Sequence, residues 1–74
     1  MAAKRVDHLV KMAEQIALNL GAGHDDAAAG EQTAGHIRHF WTPAMRLQLL
    51  DFWHHGGEVT AVLAVALRNL EEED

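Results

Sequence analysis

The sequence predicts an all-α protein, a small bundle of three to four short helices. Its apolar residues recur every three or four positions along most of the chain, which is the spacing of one helix face, and no segment alternates as a strand would. Glycines and a single proline divide this pattern into short segments. A chain of 74 residues holds one domain, so residues 1–74 are expected to form a single small helical domain.

The first helix is predicted over residues 7–20. Leu9, Met12 and Ile16 recur at helical spacing and would share one apolar face. Leu18 falls on the opposite, polar side and is therefore expected to be exposed. Gly21 stands where a glycine commonly ends a helix.

A second helix is predicted from Asp25 or Asp26, either of which can act as its N-cap, to Phe40. Most of this segment is small residues, and Gly30 and Gly35 each weaken a helix by about 1 kcal/mol relative to Ala. Two interpretations stay open. The segment is either poorly ordered, or its small residues let a neighbouring backbone come close.

The third helix is predicted from Pro43 to about His55, with Thr42 as its cap. Proline is tolerated at a first helical position because its missing N–H would have had no partner there. The large apolar residues of this helix cover more than half of its circumference, whereas a surface helix usually needs a stripe of roughly 100°. The helix is therefore either central to the domain or shared with another protein.

A fourth helix is predicted from Ala61 to about Leu70, after the Gly56-Gly57 pair and with Thr60 as its N-cap. The last four residues, 71–74, are all acidic. We expect this acidic tail to be a solvated end that frays.

The composition argues against several classes of partner. The net charge is −5 and only six residues are Lys or Arg, whereas nucleic-acid binding depends on many cationic contacts with phosphates. No apolar run approaches the ~20 residues of a membrane span, and the N-terminus has no apolar core of an export signal. We therefore expect no nucleic-acid partner, no membrane association and a cytoplasmic location.

The residues that could bind a metal or act in catalysis are not spaced along the sequence in a way that forms a reactive site. His36 and His39 could share a metal as an i, i+3 pair, but a zinc site needs three or four ligands and local spacing places no third one. His54 and His55 are adjacent and cannot share a helix face. The chain contains no Ser, Cys or Tyr to act as a nucleophile. We therefore predict no catalytic, cofactor-binding or metal-binding residues.

The junction between the second and third helices is the strongest candidate for a functional surface. Its aromatic and arginine side chains serve either a scarce core or a partner, and Trp and Arg are frequent binding hot spots. Core packing is the favoured assignment for Phe40, whereas both roles fit Trp41 and Trp53 equally. The candidate docking residues are Arg38, Phe40, Trp41, Pro43, Met45, Arg46 and Trp53.

The same junction carries a resemblance to a known family. The run from His36 to Arg46, His-Ile-Arg-His-Phe-Trp-Thr-Pro-Ala-Met-Arg, resembles the delta subunit of soluble NAD-dependent formate dehydrogenase. Weaker support comes from the segment 9–17 in the first helix, from Leu49-Leu50 and from Gly56-Gly57. The resemblance covers about residues 8–70.

This resemblance implies a non-catalytic accessory subunit. Such a subunit would dock on the catalytic alpha subunit and support its assembly, cofactor loading or stability. The family's enzyme carries a molybdenum or tungsten bis-pyranopterin cofactor, iron–sulfur clusters and FMN on larger subunits. The alternative is a standalone helical module that uses the same surplus of apolar surface to associate with itself.

Overall fold

The computed structural model describes residues 2–73, and the side chains of residues 6–72. This part of the chain forms α-helices joined by short turns, without a strand, and so confirms the predicted all-α class. The helices are α1 (Ala2–Gly21), α2 (Asp26–Phe40), α3 (Pro43–His54) and α4 (Ala61–Glu73).

Three of the helices begin where the sequence places a capping side chain. The carboxylate of Asp25 accepts the backbone N–H of Ala28 at 2.8 Å, which decides between the two candidate caps of α2. The hydroxyl of Thr42 accepts the N–H of Met45 at 3.2 Å. Thr60 starts α4 in the same way. Each cap gives a partner to an N–H that the helix itself leaves unpaired.

The two terminal helices are longer than predicted. α1 begins at Ala2 rather than Asp7, because the Ala, Lys and Arg residues in between are strong helix formers although they carry no apolar periodicity.

The third helix is slightly shorter than predicted. α3 ends at His54, one position before the predicted end. Gly56 follows it with φ +90°, a conformation that suits glycine best.

The acidic end is helical as far as it is described. α4 continues beyond the predicted end at about Leu70 to Glu73, while Asp74 lies outside the described residues. Part of the reason is tertiary: the Glu71 carboxylate lies 2.5 Å from Nε2 of His54, which joins the last turns of α4 to α3. Fraying of this end stays a prediction.

Small residues bring α2 close to its neighbours. Gly30 is buried, and a Cβ built on it would overlap the side chain of Val65 and lie 3.1 Å from the backbone nitrogen of Ala66 in α4. A Cβ on Gly21 of α1 would lie 3.0 Å from Cβ of Ala29. The second interpretation of the Ala-rich segment is therefore confirmed: its small residues permit close helix packing.

The core draws large side chains from every helix. Ile37, Leu49, Leu63 and Leu67 are completely or almost completely buried, and each such side chain contributes roughly 1.5–3 kcal/mol. The buried cluster comprises Leu9, Ala13, Ala34, Ile37, Trp41, Leu49, Leu50, Leu63, Ala66, Leu67 and Leu70. None of the described helices is long and apolar enough to cross a membrane.

Candidate functional site

Trp41 belongs to the core. Only 7% of it is exposed, and it packs within the buried cluster. Its backbone N–H donates to the carbonyl of Ile37 at 2.9 Å, so it caps the end of α2 in an extended conformation that turns its side chain inward. Trp53 is half-buried against the same cluster. A docking role for either tryptophan stays a prediction, but Trp41 already stabilises the fold.

Phe40 lies on the surface, so the favoured core assignment for this residue is wrong. It is 72% exposed, and its ring contacts the imidazoles of His36 and His39 at centroid distances of 4.7 and 6.1 Å. Ile37 and Trp41 occupy the inward positions at this end of α2. Because neighbouring residues of a helix end point in different directions, Phe40 cannot join them.

The remaining docking candidates are distributed over different surfaces. Arg38 lines a groove between α2 and α4 together with Glu31 and Asn69. Met45 is partly buried against the core. Pro43 and Arg46, in contrast, lie together at the start of α3. The seven predicted residues therefore do not form one continuous patch.

A concave surface near these residues lies between α3 and α4. It consists of two adjoining depressions, of about 170 and 380 Å³, which share Leu47 and Leu50. Leu47 is 60% exposed at its centre. We call this surface the α3–α4 groove; its lining residues are Pro43, Arg46, Leu47, Leu50, Asp51, His54, Leu70 and Glu71.

The ionic groups of the α3–α4 groove are unequally satisfied. His54 pairs with Glu71 at 2.5 Å. Asp51 pairs with Nδ1 of His55 at 3.3 Å. The Nε of Arg46 is buried and has no hydrogen-bond partner within the described part of the chain. This cation therefore stands apart from the other charged groups of the groove.

A second apolar groove surrounds Leu18, which is 71% exposed as the sequence predicts. Its volume is about 690 Å³. Glu14 at its edge is already engaged, because it accepts the Thr60 N–H at 2.9 Å and the Thr60 hydroxyl at 2.6 Å. The lining residues are Glu14, Ala17, Leu18, Gly21, Ala22, His24, Asp26, Thr60 and Val62.

Leu47 is the residue that the sequence reasoning did not include among the docking candidates. It was visible only as part of an apolar arc that was too wide for a surface helix. The pattern could not separate Leu47, which points outward, from Leu49 and Leu50, which are buried. No group of three or more His, Cys, Asp or Glu side chains converges as a metal site among residues whose side chains are described.

Fold and surface together define a small all-α protein that exposes large apolar side chains in separate grooves on a helical bundle. The chain belongs to the FdsD family, the NADH-dependent formate dehydrogenase delta subunit, whose family model matches residues 8–67. The match confirms the resemblance carried by the α2–α3 junction. Neither a curated protein nor a solved structure matches the chain.

Proposed function

We propose that this chain is a non-catalytic accessory subunit of a soluble, cytoplasmic NAD-dependent formate dehydrogenase. It docks on the catalytic alpha subunit and supports the assembly, cofactor loading or stability of that subunit. The observation that carries the proposal is the family match over residues 8–67, which includes parts of all four helices. The exposed large apolar residues of the surface support it.

The redox cofactors belong, in this proposal, to the larger subunits of the complex. These are the molybdenum or tungsten bis-pyranopterin cofactor, the iron–sulfur clusters and FMN. Iron–sulfur clusters are held mainly by cysteine thiolates, and this chain contains no cysteine. Its residues therefore fit the role of a binding partner better than that of a cluster ligand.

A binding partner of this size can act on an enzyme by thermodynamic linkage: when it binds one form of the enzyme more tightly than another, it shifts the equilibrium towards that form. If the chain binds the folded alpha subunit and not its unfolded form, the alpha subunit gains a stability of RT ln(1 + [L]/Kd), where [L] is the concentration of the free chain. If it binds an open, cofactor-free form more tightly, it keeps that form available for loading. Both effects require a contact surface and no catalytic group.

The test is co-expression of the formate dehydrogenase subunits with and without this chain, with the affinity tag on this chain alone. We expect the alpha subunit to co-purify. In both arms the alpha subunit is also purified conventionally, without a tag, and its molybdenum or tungsten content, measured by plasma mass spectrometry, is expected to fall when the chain is omitted. Co-purification with unchanged metal content would identify a structural subunit rather than an assembly factor.

The opposite outcome is equally clear. If no subunit co-purifies and the metal content is the same with and without the chain, the accessory-subunit proposal fails. A self-associating helical module then becomes the better account, and sedimentation of the isolated chain would show a stable oligomer.

A further inference from the structure

We propose that the α3–α4 groove is the surface that docks on the catalytic subunit. Its occupant is a segment of that subunit which presents one apolar side chain next to a carboxylate. The apolar side chain covers Leu47, and the carboxylate pairs with Arg46. This inference rests on the proposed function, because it names the contact through which that function is exerted.

The shape of the groove fits an apolar side chain of the partner. Its smaller depression has a volume of about 170 Å³ and is bounded by Pro43, Leu47 and Leu50, with Leu70 of α4 on the far side. A cavity of about 150 Å³ is known to hold one benzene. The depression therefore accommodates a single aliphatic or aromatic side chain, which is the usual anchor of a protein interface.

Arg46 gives the groove a positive charge that a carboxylate of the partner can pair with. It lines the same depression, and it is the one charged residue among those that line it. A guanidinium matches a carboxylate best, since both are planar and form two parallel hydrogen bonds.

The charges around the groove select this occupant further. His54 contacts Glu71, and Asp51 contacts His55, in the larger depression, whereas Arg46 lines the smaller depression without another charged residue. The protein as a whole carries a net charge of −5. A second copy of the chain would bring more negative charge to the groove, whereas a single carboxylate seated at Arg46 is complementary.

The other exposed apolar residues lack this combination. The carboxylate beside Leu18 is held by Thr60 through two hydrogen bonds. Phe40 is flanked by the rings of His36 and His39. Among the surfaces described here, the α3–α4 groove is the one that joins an exposed large apolar side chain to an arginine.

The experiment compares two groove variants with two matched controls in the tagged, co-expressed complex. Leu47→Asp and Arg46→Glu change the groove. Leu18→Asp introduces the same charge at another exposed leucine, and Lys11→Glu reverses an exposed cation of α1. We expect the groove variants to bind the catalytic subunit at least about tenfold more weakly and the controls to bind like wild type. Circular dichroism of each isolated variant confirms that its helices are retained.

A photo-cross-linking amino acid at position 47 identifies the occupant. We expect it to cross-link to a peptide of the catalytic subunit that contains an Asp or Glu. A cross-link to another copy of this chain, or to a different subunit, would overturn the assignment. If the wild-type chain and the Leu47→Asp and Arg46→Glu variants all co-purify with the catalytic subunit equally well, the groove assignment is refuted and the proposed function is not. Failure of the wild type to co-purify would refute the proposed function itself.

Discussion

At the scale of single residues, two glycines of the same helix have opposite roles. Gly30 is buried at the contact of α2 with Val65, whereas a Cβ on Gly35 would meet nothing within 4 Å. Both cost helix propensity equally. Sequence alone therefore assigns them the same penalty, and only the packed structure shows that one of them is required.

The two glycines should respond to alanine with opposite signs. Gly35→Ala is expected to stabilise the protein by about 0.5–1 kcal/mol, since it gains helix propensity without a clash. Gly30→Ala is expected to destabilise it by about 1–3 kcal/mol, because the added methyl overlaps Val65 and forces the helices apart. Urea denaturation measures both free energies of unfolding. Stabilisation by Gly30→Ala would show that α2 and α4 do not approach as described.

The adjacent aromatic residues at the end of α2 form a second matched pair. Trp41→Ala removes a buried side chain and should cost about 3–5 kcal/mol of folding free energy. Phe40→Ala changes an exposed ring and should stay within about 0.5 kcal/mol of wild type.

Chemical denaturation of the two variants tests this assignment directly. Equal losses of stability would contradict the inward position of Trp41 and the outward position of Phe40. The difference also has a practical consequence for binding studies. Loss of binding in Trp41→Ala reports on unfolding as well as on contact, whereas Phe40→Ala examines the surface alone.

At the scale of elements, the helix starts were predictable because capping is local. Thr42, Thr60 and Asp25 stand three residues before the N–H groups they accept, and that spacing is visible in the sequence. The helix ends were less predictable. The last turn of α4 depends partly on His54, which is distant in the sequence and close only in the fold.

One contact between α1 and the start of α4 could not be predicted from the sequence. Glu14 in the middle of α1 accepts both the N–H and the hydroxyl of Thr60, the cap of α4. A carboxylate from another helix thus completes a cap that Thr60 begins by itself. This fixes the start of α4 against α1, at the edge of the groove around Leu18.

Removal of this carboxylate should measurably weaken the fold. Glu14→Ala is expected to lower the free energy of unfolding by about 1 kcal/mol, since two hydrogen bonds to a partly exposed charged group are lost. Glu14→Gln, which keeps one oxygen acceptor, should lose less. Gln15→Ala, an exposed neighbour, is the control. If Glu14→Ala and Gln15→Ala melt at the same temperature, the contact contributes nothing to stability.

The faces of α3 show the limit of periodicity. Leu47, Leu49 and Leu50 all belong to an arc that the sequence marks as apolar, yet Leu49 and Leu50 are buried and Leu47 is exposed. Which part of a wide arc is covered depends on where α1 and α4 lie, and that is tertiary information. The surplus itself was predictable, and it correctly indicated more apolar surface than the core uses.

At the scale of the whole molecule, the chain is a helical bundle that exposes Leu18, Phe40 and Leu47 in separate grooves. The family could be recognised from the junction of α2 and α3, although several of those residues serve the fold rather than one surface. Trp41 caps the end of α2, and Pro43 begins α3. The motif thus combines residues that are buried in the fold with residues that are exposed on the surface, and spacing alone cannot separate the two.

The central claim is that this chain functions as a bound subunit of formate dehydrogenase rather than alone. The most direct measurement is purification of the co-expressed complex through a tag on this chain alone, with the subunits that remain bound identified by mass spectrometry. The account predicts that the catalytic alpha subunit is retained after gel filtration. Recovery of the chain by itself or as an oligomer of its own, from cells that contain folded alpha subunit, would contradict it.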